Sequence, residues 1–313
     1  MLHWRLILGV LFVTVIAVLA YFDFGSKHPG LVMAPLAIGA TWLAAGELVR
    51  LFEQDSQIPA PSRYLVVPGA VATVIASCAP MAWSVAERAP MAITSGVVGR
   101  VGWVAIGLAA SSLVALCAEM LRYRTPGSAT TRLALAIFAI AYAGGLMGFV
   151  VQLRLLRGGP WGEDGRWGML ALVSLILVVK ASDSGAYVVG RLIGRTKMAP
   201  VLSPGKTWEG AAGGFVFATI ATLITFGPLA AALGCEIDRN FPSWFVGCLL
   251  YALLVGAAGV AGDLAVSLLK RDAYTKHSST WMPGFGGVLD LLDSILFAAP
   301  VAFLLWIGRL VGP

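Results

Sequence analysis

Long apolar runs, separated by short polar connections, recur from one end of this chain to the other. A bilayer core about 30 Å thick needs roughly 20 apolar residues for one helical crossing. About nine runs approach that length, so the pattern predicts an all-α, polytopic integral membrane protein with about nine transmembrane helices. The predicted segments are Leu6–Tyr21, Leu31–Leu51, Tyr64–Val85, Val98–Met120, Leu133–Leu153, Gly168–Val189, Ala211–Leu233, Trp244–Leu269 and Leu291–Leu310.

The first predicted segment has a second interpretation. It is short and follows Arg5, as a cleaved signal peptide would, but Val18-Leu19-Ala20 fits the small-residue cleavage pattern poorly. A membrane helix is therefore favoured, with a signal peptide as the alternative. We expect residues 1–160 to hold the N-terminal transmembrane helices and residues 161–313 the C-terminal catalytic ones, within a single integrated membrane domain.

Composition supports a membrane protein. Hydrophobic residues make up 58% of the chain and charged residues only 12%, with a mean hydropathy of +0.85. Soluble domains average roughly 45–50% apolar and about 25% charged residues. The net charge of +6 suits cytoplasmic loops, anionic lipids and anionic ligands. Because the basic residues are scattered between apolar runs, we expect no nucleic-acid partner.

The distribution of lysine and arginine predicts an orientation. Basic residues are moderately more frequent in the N-terminus and the even-numbered connections, which places these in the cytoplasm and the C-terminus outside. We expect an integral membrane protein whose Lys270–Gly287 connection faces the cytoplasm. The four cysteines have no CxxC spacing, and the three histidines are dispersed, so neither residue type predicts a metal cluster.

Two charges interrupt the sixth predicted segment. Lys180 and Asp183 lie three positions apart, on one face of a helix, and Tyr187 follows four positions later. Charges within a membrane segment are costly, so they are functional candidates. One interpretation is that Asp183 faces a polar cavity. The alternative is an internal ion pair that holds two helices together.

The stretch from Ser203 to Gly210 reads Ser-Pro-Gly-Lys-Thr-Trp-Glu-Gly. It resembles the end of a phosphate-binding P-loop, but Pro200 stands where that motif requires glycine, so a P-loop is excluded. A Ser-Pro-Gly turn leading into a helix would still place backbone N–H groups and Lys206 on a phosphate. Glu209 would suit either this site or the dipole at the start of the helix. Trp208 is interpreted as an interface anchor.

The stretch around residues 263–294 carries the strongest candidate chemistry. On a helix, Asp263, Ser267 and Lys270 share one face, and Asp290 and Asp293 share another. Between them lies a Pro/Gly turn at residues 283–287, which is incompatible with a helix interior. Two carboxylate-bearing helix faces beside a basic strip are suitable for a metal-bound polyphosphate.

The three carboxylates of Asp263, Asp290 and Asp293 are candidate ligands for Mg²⁺. This ion prefers oxygen ligands and typically takes one or two carboxylates together with substrate phosphates. The alternative is that these carboxylates form salt bridges with Lys270, Arg271 or Lys276. His277 is interpreted as a polar loop residue, and Phe285 as an anchor at headgroup depth.

An ordered series of motifs resembles the phosphatidate cytidylyltransferases, also called CDP-diacylglycerol synthases. The N-terminal half of the chain resembles this family only as a series of membrane segments. The residues that carry the resemblance are Asp183-Ser-Gly-Ala-Tyr187, Gly190-Arg191, Ser203-Pro-Gly-Lys-Thr-Trp-Glu-Gly210, Gly262-Asp263, Ser267, Lys270-Arg271, Lys276, Pro283-Gly284, Gly286-Gly287, Asp290 and Asp293.

The resemblance implies transfer of a cytidylyl group from CTP to phosphatidic acid, with Mg²⁺ and room for a second cation. It implies membrane lipids as partners and is compatible with a homodimer. The catalytic residues implied are Asp263, Lys270, Arg271, Lys276, Asp290 and Asp293. Of these, Asp263, Asp290 and Asp293 would hold the metal. The substrate-binding residues implied are Asp183, Arg191, Ser203, Lys206, Thr207, Glu209, Gly286 and Gly287.

The chain departs from the family pattern at three positions. His277 stands where the family usually has aspartate, Phe285 where it has histidine, and Leu291 where it has arginine. Since the other motif residues remain, we expect an active variant with altered rate, metal binding or lipid specificity.

Two other functions stay open on the sequence. One is a CTP-dependent lipid kinase of the polyprenol type, which would release CDP instead of pyrophosphate. The other is an ion-coupled transporter that uses Lys180, Asp183 and Asp263 as a relay. A transporter would show inverted repeats or broken helices, and the sequence shows no convincing repeat.

Overall fold

The fold is taken from a computed structural model of the chain, which describes residues 2–54, 59–81, 99–124, 126–237, 240, 242–275, 278–279 and 286–313. Helices dominate the described chain. They are α1 (Leu2–Phe24), α2 (Ala34–Gln54), α3 (Arg63–Ser77), α4 (Gly99–Arg122), α5 (Ala129–Arg154), α6 (Arg166–Ile193), α7 (Trp208–Ala232), α8 (Ser243–Asp272) and α9 (Val288–Ile307).

Seven helices in the described part of the chain are long and apolar enough to cross a membrane, namely α2 and α4 to α9. The protein is therefore an all-α, polytopic integral membrane protein, as the apolar runs predicted. The predicted count of nine spans is not confirmed. Helix α3 has only 15 residues, and the apolar stretch described within α1 covers only Val13–Phe24.

Helices α5 and α7 each contain a π-helical turn, at Ile140–Gly145 and Thr225–Leu229. Pro228 lies in the second of these turns. Proline has no backbone N–H, so the regular hydrogen-bond ladder is interrupted at its position. A wider turn accommodates that interruption while the helix continues.

Glycines allow helices to approach one another closely. A Cβ added at Gly144 of α5 would lie 2.5 Å from the backbone oxygen of Ala70 on α3. On α7, a Cβ at Gly214 would lie 2.9 Å from the backbone oxygen of Ser182 on α6. Such contacts bring backbones together where a side chain would separate them, as is common between membrane helices.

A small antiparallel hairpin lies between α6 and α7. Its strands are β1 (Lys197–Ala199) and β2 (Ser203–Thr207), with Lys197 opposite Thr207. The predicted Ser-Pro-Gly turn at Ser203 is wrong, because these residues form β2. Thr207 then caps α7, since its side chain accepts a hydrogen bond from the N–H of Gly210 at 3.1 Å.

The chain divides into two compact units that are not consecutive in sequence. The first unit comprises Met1–Leu155 and Leu269–Leu292, and the second comprises Leu156–Leu268 and Asp293–Pro313. Helices α8 and α9 are each divided between the two units.

The first unit contains a fully buried ion pair. The carboxylate of Asp23 accepts a hydrogen bond from the guanidinium of Arg154. It also accepts hydrogen bonds from the backbone N–H groups of Gly30 and Val32, at 3.1 and 2.9 Å. These contacts fix the chain between α1 and α2 against the end of α5, and the sequence did not reveal them.

The second unit has an aromatic and polar core. The hydroxyls of Ser174 and Tyr251 lie 2.6 Å apart, and the indole N–H of Trp306 donates to Ser174 at 3.2 Å. Phe226 packs edge-on against Tyr251, with ring centroids 5.3 Å apart. This core joins α6, α7, α8 and α9 within the unit.

Candidate active site

Three helices of the second unit each contribute one carboxylate to a cluster. These are Asp183 on α6, Asp263 on α8 and Asp293 on α9, and each interacts electrostatically with the other two. Like charges repel, so nearby cations or a bound metal would stabilise such a cluster. The sequence singled out all three residues.

Lys206 is the cation paired with Asp263. Its Nζ lies 2.9 Å from Oδ2 of Asp263 and donates a hydrogen bond to the backbone oxygen of Val260 at 3.1 Å. The strand β2 places Lys206 over α8. The side chain of Asp263 is 36% exposed and that of Lys206 21%, so both remain accessible to a ligand.

Lys180 is the second cation of the cluster. Its Nζ lies 3.3 Å from Oδ2 of Asp183, three residues further along α6. The predicted ion pair therefore forms within one helix. Lys180 also interacts electrostatically with Asp293 on α9, and the interpretation that the pair holds two helices together stays a prediction. Asp183 also interacts electrostatically with Lys206, which connects the two lysine–aspartate pairs.

Asp293 is the most deeply buried of the three carboxylates, at 5% exposure. It accepts hydrogen bonds from the N–H and hydroxyl of Ser294, at 2.6 and 3.2 Å. Its backbone lies directly against Gly262, where an added Cβ would come within 2.5 Å of the Asp293 oxygen. Gly262 thereby brings the Asp263 and Asp293 backbones close together.

Asp290 belongs to the first unit, where it has a different set of contacts. Its Oδ1 lies 2.7 Å from Nζ of Lys270. Its Oδ2 accepts hydrogen bonds from the Ser278 N–H at 3.2 Å and the Gly287 N–H at 3.3 Å. The predicted salt-bridge alternative is thus confirmed for Asp290 and Lys270. Since Asp290 is the third residue of α9, its bond to Gly287 also caps that helix.

Glu47 on α2 is a functional candidate that the sequence interpretation missed. Its carboxylate is 3% exposed and accepts hydrogen bonds from the N–H groups of Val288 and Leu289, at 3.0 and 2.8 Å. The Ser278 hydroxyl donates to it at 3.0 Å. The signal was present in the sequence, since an acidic residue inside an apolar segment is a candidate by default.

The remaining predicted site residues of the second unit have other contacts, several of them hydrogen bonds to backbone groups. Arg191 is exposed and donates to the Tyr187 hydroxyl at 2.9 Å. Glu209 accepts hydrogen bonds from the N–H of Arg195 and from the N–H and hydroxyl of Thr196. Thr207 caps α7, as described above, and Ser203 is partly exposed on β2.

In the first unit, Arg271 is exposed at the end of α8, and Gly286 and Gly287 are buried just before α9. A Cβ at Gly287 would collide with the carboxylate of Glu47 and the hydroxyl of Ser278. Lys276, His277 and Phe285 lie outside the described residues, so their predicted roles stay predictions.

The residues present fit a magnesium ion in part. Among the described residues, no three His, Cys, Asp or Glu side chains form a group that could hold a metal ion. Mg²⁺ nevertheless binds through one or two carboxylates when phosphate oxygens and water complete its shell. Asp263 is exposed enough for that role, and its Lys206 partner could move to a phosphate. The metal role of Asp263, Asp290 and Asp293 stays a prediction.

The sequence profile of the cytidylyltransferase family matches residues 3–307, nearly the whole chain. The match therefore includes both units and all three clustered carboxylates.

Individual relatives match over a shorter stretch. A phosphatidate cytidylyltransferase of Haemophilus influenzae is 38% identical over 155 residues, which are 50% of this chain and 52% of that protein. One of Bacillus subtilis is 35% identical over 167 residues, 53% of this chain and 55% of the relative. The uncharacterized protein YnbB of Escherichia coli is 35% identical over 169 residues, 54% and 49% respectively. Each match thus spans about half the length of the relative.

Proposed function

Because the chain belongs to the cytidylyltransferase family, we propose that it transfers the cytidylyl group of CTP to phosphatidic acid, as a step of phospholipid biosynthesis. A phosphate oxygen of phosphatidic acid attacks the α-phosphorus of CTP. The bond from the α-phosphorus to the oxygen that bridges it to the β-phosphorus breaks. The products are CDP-diacylglycerol and pyrophosphate.

One structural observation carries the proposal beyond family membership. Three membrane helices and the strand β2 of the second unit bring together three carboxylates and two lysines, and Lys206 lies 2.9 Å from Asp263. Charges in membrane segments are costly and mark functional sites. A site for a cation-bound triphosphate and a lipid phosphate needs groups of both signs, which this cluster supplies.

The chemistry requires positioning and charge neutralisation more than a general base, because the phosphate of phosphatidic acid is already ionised at neutral pH. Bound Mg²⁺ would supply charge neutralisation at the triphosphate. Asp263 and Asp293 would hold this ion, and a second cation would belong to the same complex on the family resemblance. Asp290 is assigned the same role on the family resemblance alone.

The basic residues have complementary roles in the proposal. Lys206 would exchange its contact with Asp263 for a phosphate oxygen when the nucleotide binds, because a preorganised cation stabilises the charge that develops on departing pyrophosphate. Lys270, Arg271 and Lys276 are assigned to pyrophosphate or to the lipid phosphate on the resemblance. The acyl chains would enter sideways from the bilayer.

We assign the protein to a bacterial inner membrane with its site facing the cytoplasm. The apolar helices and the bacterial relatives support an integral membrane protein. The excess of basic residues in the predicted cytoplasmic connections supports the orientation, and CTP is a cytoplasmic metabolite.

The test is product analysis with purified protein, radiolabelled CTP and phosphatidic acid. We expect labelled CDP-diacylglycerol and an equal amount of pyrophosphate. Asp263→Asn should lower the rate by about 100-fold, the loss typical of one electrostatic group in an active site. Asp164→Asn, which removes an exposed carboxylate from a connecting segment, is the control and should retain the wild-type rate.

Three outcomes would contradict the proposal. Release of CDP with a phosphorylated lipid would indicate a lipid kinase. Failure to consume CTP with any lipid acceptor would exclude both enzymes and favour transport. A correctly inserted Asp263→Asn protein that synthesises CDP-diacylglycerol at the wild-type rate would remove Asp263 from the site.

A further inference from the structure

The start of α9 is held by a carboxylate from a distant part of the sequence. Oε1 of Glu47 accepts from the Val288 N–H at 3.0 Å, and Oε2 accepts from the Leu289 N–H at 2.8 Å. Both bonds lie in the first unit and are buried. Glu47 therefore fixes the first two residues of α9 against α2.

These bonds are strong for two reasons. The first N–H groups of a helix have no partner within the helix, and the positive end of the helix dipole lies there. A carboxylate satisfies both, and charge-assisted hydrogen bonds are roughly twice as strong as neutral ones. Glu47 is 3% exposed, so little water can solvate its carboxylate, and donors such as these compensate for the lost solvation.

Ser278 connects Glu47 to Asp290. Its Oγ lies 3.0 Å from Oε2 of Glu47 and 3.1 Å from Oδ2 of Asp290. A hydroxyl has one proton to donate, so the two carboxylates share one donor. The Ser278 N–H, the Gly287 N–H and Lys270 also contact the Asp290 carboxylate. The position of the Asp290 carboxylate thus depends on where Glu47 holds Ser278 and the helix start.

Gly287 supports the same arrangement. An added Cβ would overlap the Glu47 carboxylate and the Ser278 hydroxyl. The backbone before α9 therefore passes directly against both groups. The absence of a side chain at residue 287 therefore leaves the space that the Glu47 carboxylate and the Ser278 hydroxyl occupy.

We propose that Glu47 is a positioning residue that sets the location of the Asp290 carboxylate through the start of α9 and Ser278. The proposal rests on the proposed function for its kinetic consequence, since Asp290 is there a predicted ligand of the magnesium–nucleotide complex. Its structural content, a carboxylate that anchors the helix start, is independent of that function.

The experiment compares Glu47→Gln with Glu119→Gln. The first variant keeps the size of the side chain but replaces one acceptor oxygen with an NH₂ group. This group cannot accept a hydrogen bond from the backbone N–H that faces it at the start of α9. The control neutralises another buried carboxylate of the same unit, whose partner at 2.8 Å is Arg132. Ser278→Ala is a third variant, which removes only the shared hydroxyl.

The first measurement is hydrogen exchange in a peptide covering residues 286–292, without nucleotide or metal. We expect exchange at least about tenfold faster in Glu47→Gln than in wild type, and unchanged exchange in Glu119→Gln. The second is the Mg²⁺ concentration that gives half-maximal cytidylyl transfer. It should rise about fivefold or more in Glu47→Gln, rise less in Ser278→Ala, and stay unchanged in Glu119→Gln.

Each outcome decides the proposal. Equal exchange in Glu47→Gln and Glu119→Gln overturns it. Faster exchange with an unchanged Mg²⁺ requirement also overturns it, because Glu47 would then stabilise the helix without positioning Asp290. Should the wild type transfer no cytidylyl group, the proposed function fails, while the exchange result still supports or overturns the anchoring by Glu47.

Discussion

The close contact between α8 and α9 at Gly262 determines how near the carboxylate-bearing backbones of the cluster lie to each other. We expect Gly262→Ala to impair both stability and catalysis. Its added Cβ would lie 2.5 Å from the backbone oxygen of Asp293 and 2.6 Å from Cβ of Phe297. A backbone oxygen cannot rotate away as a flexible side chain can, so the two helices must separate.

The size of the effect follows from these distances. Carbon–oxygen contacts between packed helices are ordinarily at least about 3.3 Å, so the backbones must part by roughly 0.8 Å. Overpacking of this kind costs about 1–3 kcal/mol, offset by about 1 kcal/mol from the better helix propensity of alanine. A misplacement near 1 Å in an active site can lower the rate by about 100-fold, and we expect a 10- to 100-fold loss.

The chain offers a matched control on the same helix face. A Cβ at Gly259 would lie 3.4 Å from Val179 and 3.7 Å from Ser294, which are ordinary contacts. Gly259→Ala should therefore be as stable as wild type or more stable by up to about 1 kcal/mol. Thermal unfolding in detergent and CDP-diacylglycerol synthesis, measured on both variants side by side, give the comparison.

The reasoning would be refuted if Gly262→Ala matched Gly259→Ala in unfolding temperature and rate. Such a result would mean that α8 and α9 are not in close contact at Gly262. Loss of activity without loss of stability would instead show that the helices separate at little cost in unfolding free energy, and that the rate depends on the spacing of the carboxylates.

Two further predictions concern the parts of the structure outside the cluster. Asp23→Asn should lower the free energy of unfolding by about 3–5 kcal/mol, because it leaves Arg154 buried without its counter-ion. Thermal unfolding measures this change. The control Asp164→Asn, which affects an exposed ion pair, should change the free energy of unfolding by less than about 1 kcal/mol. Burial raises the pKa of the Cys235 thiol to about 11, so the reactive thiolate is scarce at neutral pH. Maleimide should therefore label Cys235 slowly in the native protein and rapidly after denaturation. Equal labelling rates would contradict the burial of Cys235.

Much of the fold could be predicted from the sequence because bilayer thickness fixes the length of an apolar run. The ends of the helices were predicted less accurately. Helix α8 was predicted to end at Leu269 but continues to Asp272, since a helix is not obliged to end where it leaves the hydrocarbon. The hairpin β1–β2 was missed, because Ser203-Pro-Gly carries strong turn residues and the pairing with Lys197 depends on tertiary contacts.

The candidate site was found in sequence through charges that interrupt apolar runs, which is how Asp183 and Asp263 were identified. Their partners were harder to predict. Asp263 pairs with Lys206, whereas the sequence suggested the basic residues that follow it. Glu47 was not recognised, because its partners at Val288 and Leu289 become neighbours only once α2 packs against the start of α9.

Each unit consists of two separate segments of the chain, which limits how the protein can be recombined with a homologue. Residues 269–292, with Lys270 and Asp290, pack with the N-terminal half of the sequence. Neither half can therefore be swapped as a cassette from a homologue by a single crossover near residue 155. A chimera that replaces one unit would have to exchange both of its segments together, which takes three crossovers, near residues 155, 268 and 292.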